Sequence, residues 1–185
     1  FGNNTGDGIE FDSITSFMPL GTNDMTYEIW LYKNNLINTN MAAFGLKRTL
    51  PNGTQHSNFT HFYVKSSVIG DYLEFWKTSA SGGSENISSS ASYNLASWNH
   101  LVISHDISAG IPKLYYNGSE RSVGNLGGWV NYYHHVDDQY QLNVGSDVTY
   151  NFYGRISIFR IYKGKAFTAE EVSNNYETFK HRFGI

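Results

Sequence analysis

Trp98-Asn99-His100-Leu101-Val102-Ile103-Ser104 and, after a short polar gap, Lys113-Leu114-Tyr115-Tyr116-Asn117-Gly118 decide the fold of this chain. A Trp opens a run of apolar and β-branched residues, a turn follows, and a second run ends on Asn-Gly, a tight-turn dipeptide. Leu101 and Ile103 are expected to face inward, and Trp98 is read as core. Upstream, Met25, Tyr27, Ile29 and Leu31 alternate with Thr26, Glu28, Trp30 and Tyr32, the period-two pattern of a half-buried strand. Shorter strands are read at Ile9–Asp12 and Ala42–Lys47, with a turn at Pro51-Asn52-Gly53, and a pair at Phe59–Lys65 and Asp71–Thr78. In the second of that pair, Leu73 and Phe75 share one face while Tyr72, Glu74 and Trp76 share the other.

Ser79–Ser92 reads as a loop by its Ser and Gly content, and Gly124–Asp138 as an irregular aromatic stretch. Tyr140–Val144 and Phe152–Tyr162 are the last strands. The final one changes apolar phase between Ile158 and Phe159, which predicts a bulge or burial on both faces. Thr168-Ala169-Glu170-Glu171 then carries a capping box, Val172, Tyr176 and Phe179 form an apolar helical stripe, and Gly184 stands beyond the helix end. About ten short strands and one terminal helix describe an all-β, two-sheet antiparallel jelly-roll sandwich in a single domain spanning 1–185.

Composition narrows the function classes. The 185 residues suffice for one domain with a substantial core, and only 16% are charged. A net charge of −3 without a Lys/Arg cluster argues against nucleic acid. The absence of cysteine excludes disulfides and thiolate metal sites. No apolar run is long enough for a membrane span. With Phe1 at its start and no visible signal peptide, the chain is expected to be a processed product or part of a longer protein.

The order and spacing of Trp98-Asn99-His100-Leu101-Val102, Leu114-Tyr115-Tyr116-Asn117-Gly118, Gly154-Arg155-Ile156-Ser157, Arg160-Ile161-Tyr162 and the tail from Phe167 to Gly184 resemble laminin G-like domains of the concanavalin A-like superfamily, of the type found in phage, viral and microbial surface proteins. The resemblance covers nearly the whole chain. It implies a jelly roll that binds glycans or protein partners, often with calcium at a rim loop, on an extracellular or virion surface. Where some relatives carry an acidic residue, this chain has Ser157.

Four sets of residues are candidates for chemistry. Glu10 and Asp12 have the i, i+2 spacing of paired glycosidase carboxylates, but no third acid follows at Ile14 or Thr15, and a solvated edge pair is the competing reading. His134 and His135 beside Asp137 and Asp138 hold metal-ligand chemistry, against a hydrated polar loop; Asp137 and Asp138 are the expected calcium ligands, with Asn3-Asn4-Thr5-Gly6-Asp7 and Asn23-Asp24 as further oxygen donors. The 4 Trp, 14 Tyr and 12 Phe favour sugar binding, in which ring faces pack on aromatic faces and small polar groups hold the hydroxyls. Trp129, Asn131, Tyr132, Tyr133 and His134 are the expected carbohydrate contacts, since they join aromatics to polar residues in an irregular stretch. Their alternative role is packing on the sandwich edge or on a neighbouring subunit. The pairs Trp30/Tyr32 and Tyr72/Trp76 are a further candidate if their face is open, against burial under the helix or a loop. Sequons at Asn3, Asn52, Asn58, Asn86 and Asn117 receive no functional weight.

The readings that follow are a non-catalytic module for a glycan or cell-surface polymer, a structural domain packed against other subunits of a particle, and a glycoside hydrolase.

Overall fold

The computed structural model describes residues 8–11, 14, 23–34, 40–49, 52–67, 70–78, 84–89, 96–125, 139–146 and 150–185. In chain order the strands are β1 (Ile9–Phe11), β2 (Met25–Lys33), β3 (Asn40–Thr49), β4 (Gln55–Ser67), β5 (Gly70–Thr78), β6 (Ser84–Ser89), β7 (Trp98–His105), β8 (Lys113–Tyr116), β9 (Ser119–Arg121), β10 (Gly124–Asn125), β11 (Gln139–Val144) and β12 (Gly154–Lys163). Helix α1 (Ala169–Phe179) and a 3-10 turn (Lys180–Phe183) follow. Among the described residues the strands form a seven-stranded sheet in the order β1-β11-β3-β4-β5-β6-β10 and a five-stranded sheet in the order β12-β2-β7-β8-β9, all pairs antiparallel.

Alternation fixes which side chains meet between the sheets. One register row of the larger sheet runs Val144, Phe44, Phe62, Phe75, Ile87, all of them buried core residues. From the smaller sheet come Tyr27, Ile29, Leu31, Leu101, Ile103, Leu114 and Tyr116. Rings cross between the layers, with Tyr27 centred 5.0 Å from Phe44 and Phe159 centred 5.2 Å from Phe44. Burying side chains of this size contributes roughly 1.5–3 kcal/mol each before chain entropy is subtracted.

Local chemistry behaves as the sequence reads. Asn117 and Gly118 take φ values of 48° and 78° and form the two-residue link between β8 and β9, the geometry of a type I′ hairpin. Thr168 accepts from the Glu171 amide and Glu171 accepts from the Thr168 amide, completing the capping box. Gly184 caps the 3-10 turn at φ 71°. The bulge expected in β12 sits at Ser157, where the register shifts between Ile156 and Ile158, so that Ile156, Phe159 and Ile161 all pack on the core.

Two expectations change. Ser79–Ser92 is not wholly a loop: Ser84–Ser89 is β6, because Ile87 fills a core position opposite Phe75 and one apolar residue among serines suffices once a neighbouring strand offers its edge. Trp98 does not join the inter-sheet core. Its parity is opposite to that of Leu101 and Ile103, and it lies half-buried on the outer face against Tyr32 and Phe183. The inward position goes to Asn99, whose Oδ1 accepts from Tyr116 Oη at 2.6 Å.

Candidate functional site on the seven-stranded sheet

Outside the bulges, a strand that gives the core an apolar residue gives its next residue to the opposite face. On the larger sheet, one row on that face pairs Glu10 with Asn143, Asn143 with Gly45, Gly45 with His61, His61 with Trp76 and Trp76 with Asn86. A neighbouring row pairs Ala42 with Tyr63, Tyr63 with Glu74, Glu74 with Ser88 and Ser88 with Gly124. Among the described side chains these rows hold Glu10, Asn143, Glu74, Trp76, Asn86 and Ser88. Yet Asn143 is 8% exposed, Glu74 6% and Asn86 4%, while Trp76 is half-buried.

Trp76 Nε1 donates to Glu74 Oε2, which holds the indole against the sheet. Asn86, directly opposite Trp76, has a buried Oδ1 with no hydrogen-bond partner among the described residues. An unsatisfied buried acceptor costs about 1–3 kcal/mol, and such groups call for a role. Half-buried indole and unpaired carboxamide oxygen stand at paired register positions on that face. The low exposure of Asn86 also makes its sequon unsuited to carry a glycan in the folded domain.

Sequence reasoning placed Trp76 and Glu74 opposite Leu73 and Phe75, and the structure bears this out, with Leu73 and Phe75 in the core. Asn86 was missed because it lay in the segment read as a loop. The expected contacts Trp129, Asn131, Tyr132, Tyr133 and His134 and the expected calcium ligands Asp137 and Asp138 lie outside the described residues, as does Asp12. Glu10 sits on the edge strand β1, exposed, and accepts from Gln141 Nε2 at 2.5 Å. Ser157 is exposed at the bulge. Among the described residues no three His, Asp or Glu side chains come together as a metal-ligand group, and no helix is long and apolar enough to cross a membrane.

The outer face of the five-stranded sheet has a different fate. Trp30 is fully buried there, stacked on His100 (4.6 Å), Tyr176 (5.9 Å) and Phe183 (4.3 Å). Burial of this pair's Trp under the helix, rather than an open face, is therefore what the structure shows. Beside it the buried Glu28 carboxylate lies 3.0 Å from His100 Nε2, 3.1 Å from Arg160 Nη1 and 3.0 Å from Tyr162 Oη. A carboxylate only accepts, so His100 carries its proton on Nε2.

Near the start of α1 a cavity of about 270 Å³ is lined by residues including Ser104, Lys113, Tyr115 and Phe167. Burial pushes the Tyr115 phenol up to about 12, and the Glu120 carboxylate opposite adds to the shift. A raised folded-state value means that stability is intact below the ordinary phenol value of 10 and is lost as pH climbs from there toward 12. Thermal midpoints measured across that window are expected to fall, and Tyr115→Phe is expected to flatten the decline.

A profile of the concanavalin A-like lectin/glucanases superfamily matches residues 3–173. The chain belongs to that superfamily. No curated protein matches this laminin G-like domain significantly. Solved structures do. The CBM40 module of the Ruminococcus gnavus IT-sialidase bound to α2,3 sialyllactose is 16% identical with a TM-score of 0.65, covering 91% of this domain and 96% of that chain. A heptameric SAP-like pentraxin from Limulus polyphemus is 16% identical with a TM-score of 0.59, covering 82% and 69%. The Trypanosoma rangeli sialidase is 12% identical with a TM-score of 0.60, covering 96% of this domain but only 27% of that chain. At such identities the likeness establishes the fold. The laminin G-like domain matches a whole binding module and about a quarter of the sialidase.

Proposed function

We propose that this laminin G-like domain is a non-catalytic carbohydrate-binding module of a larger extracellular or virion-surface protein, wound as a two-sheet jelly roll. Its sugar site is the outer face of the seven-stranded sheet. The observation that carries this reading is the pairing of half-buried Trp76 with the unpartnered Asn86 Oδ1. The expected carbohydrate contacts of the aromatic stretch are part of the same proposal. The chain leaves β10 after Asn125 and enters β11 at Gln139, five strand spacings away, roughly 24 Å. Both ends open toward the rim where β3 turns into β4 and β5 into β6. Trp129, Asn131, Tyr132, Tyr133 and His134 lie on the segment that joins them, and rims are where binding loops gather. Calcium held by Asp137 and Asp138 is part of the proposal. A single site of this kind is weak, and repeated copies supply avidity.

A glycan array probed with multivalently displayed protein, in calcium and then in chelator, tests the reading. Binding lost on chelation supports the calcium site, and Asp137→Ala and Asp138→Ala should then abolish it. Binding that survives removes calcium from the proposal and leaves the aromatic platform. No binding by folded protein in either condition favours the subunit-packing role. For a sugar that binds, Asn86→Ala is expected to lower affinity about tenfold, near 1.4 kcal/mol. The same change should leave stability unchanged or higher, because it removes the unpaired acceptor. Titration calorimetry and denaturant melts measure the two effects separately.

A further inference from the structure

A second site stands on the opposite side of the sandwich. Arg155, Tyr32 and Trp98 occupy one register row across β12, β2 and β7. The Arg155 guanidinium lies over the Tyr32 ring at 4.1 Å and reaches Trp98 at 5.8 Å. Tyr32 and Trp98 meet edge to face at 5.8 Å and 67°, and Phe183 packs on Trp98 from the far side at 4.8 Å. Arg155 is exposed and makes no hydrogen bond or ion pair among the described residues. Stacking occupies the flat face of a guanidinium and leaves its in-plane N–H donors directed outward, so this cation is oriented but unspent.

We infer that the Arg155–Tyr32–Trp98 platform binds the carboxylate of an acidic sugar ring, a hexuronate or similar sugar acid. The in-plane fork matches a planar carboxylate bidentately. One guanidinium supplies one positive charge, which suits a singly charged group. The half-buried indole beside it offers a surface to the ring's C–H face, which a simple carboxylate would leave unused. This site goes beyond the proposed sugar face and does not depend on it, because the two lie on different sheets.

The experiment is calorimetric titration, at low salt, with tri-galacturonate, neutral galactotriose, a sulfated galactotriose and tri-glutamate, on the domain and on Arg155→Gln and Trp76→Ala. Tri-galacturonate is expected to bind, to weaken as salt is added, and to lose about tenfold in affinity in Arg155→Gln. Trp76→Ala, on the other face, is expected to leave that binding in place. The Trp98 indole resonance should shift on titration. No binding, or binding indifferent to Arg155→Gln, overturns the assignment. So does equal or tighter binding of the sulfated sugar or of tri-glutamate, which would make the platform a general anion site. Uronate binding lost only in Trp76→Ala would assign it to the seven-stranded sheet and likewise overturn the inference. Arg155 is at the surface, so its replacement leaves the fold intact, as circular dichroism would verify.

Discussion

Trp30→Ala is expected to remove about 3–5 kcal/mol of stability, the range for truncating a buried large aromatic. Trp30 has no exposed surface and lies where three elements meet. Its ring stacks within 15° of Phe183 and within 9° of Tyr176, and His100 lies on it from β7. Of the α1 stripe, Val172 alone is fully buried, against Val102 and Tyr115. Without the indole, Tyr176 and Phe183 lose the ring they both stack on. Denaturant unfolding should show the loss. Hydrogen exchange should show α1 and the 3-10 turn opening well before the sheets. Trp30→Phe, which keeps a ring, should retain more than half of the stability. A loss below about 1 kcal/mol in Trp30→Ala would mean that the helix is held elsewhere.

The second large effect is expected at Glu28→Ala, at about 3 kcal/mol, because removing one member of a buried ion pair strands the others. His100 is fully buried and would lose its carboxylate. Arg160, about one-third exposed, would recover some hydration, which holds the cost at the lower end. Glu28→Gln should recover part of the loss by keeping one acceptor oxygen. Burial alone would raise the Glu28 carboxyl, but the hydrogen bond and electrostatic effect of His100, with the hydrogen bonds from Arg160 and Tyr162, overcome it and hold the group below its ordinary value. The sign follows. A lowered folded value gives stability that is present above the unfolded carboxyl range and is lost as pH falls through the folded value. The gap between wild type and Glu28→Ala is thus expected to be full at pH 7 and to narrow below about pH 4.5, which unfolding curves at stepped pH would measure.

Much of the frame was legible in the sequence because it is set by near neighbours. The apolar runs gave β2 and β7 to within a residue of their ends, Asn117-Gly118 gave the hairpin, and Thr168 with Glu171 gave the helix start. The phase change in β12 announced a bulge, which the structure places at Ser157. Strand β6 was not legible, since a single Ile87 among serines has no period of its own and became a strand by pairing with β5. Asn86 was lost with it. Trp98 reads as core because it is a strand-opening aromatic, yet its parity sets it opposite Leu101, on the outer face.

The sequence by itself determined that this is an antiparallel β domain with a capped terminal helix, and which residues share a face of strands such as β2 and β5, because alternation is a property of the backbone. It could not distinguish Trp30 from Trp76. Both stand on the non-core side of a strand, in the same pattern of alternating apolar and polar residues. The tertiary structure decided between them. The helix, more than a hundred residues downstream in sequence, docks on β2 and β7 and seals Trp30 beneath Tyr176 and Phe183. Trp76 belongs to the other sheet and remains half-buried beside an unpaired carboxamide oxygen. Burial of a strand's second face depends on what arrives from elsewhere in the chain, and no local pattern carries that information.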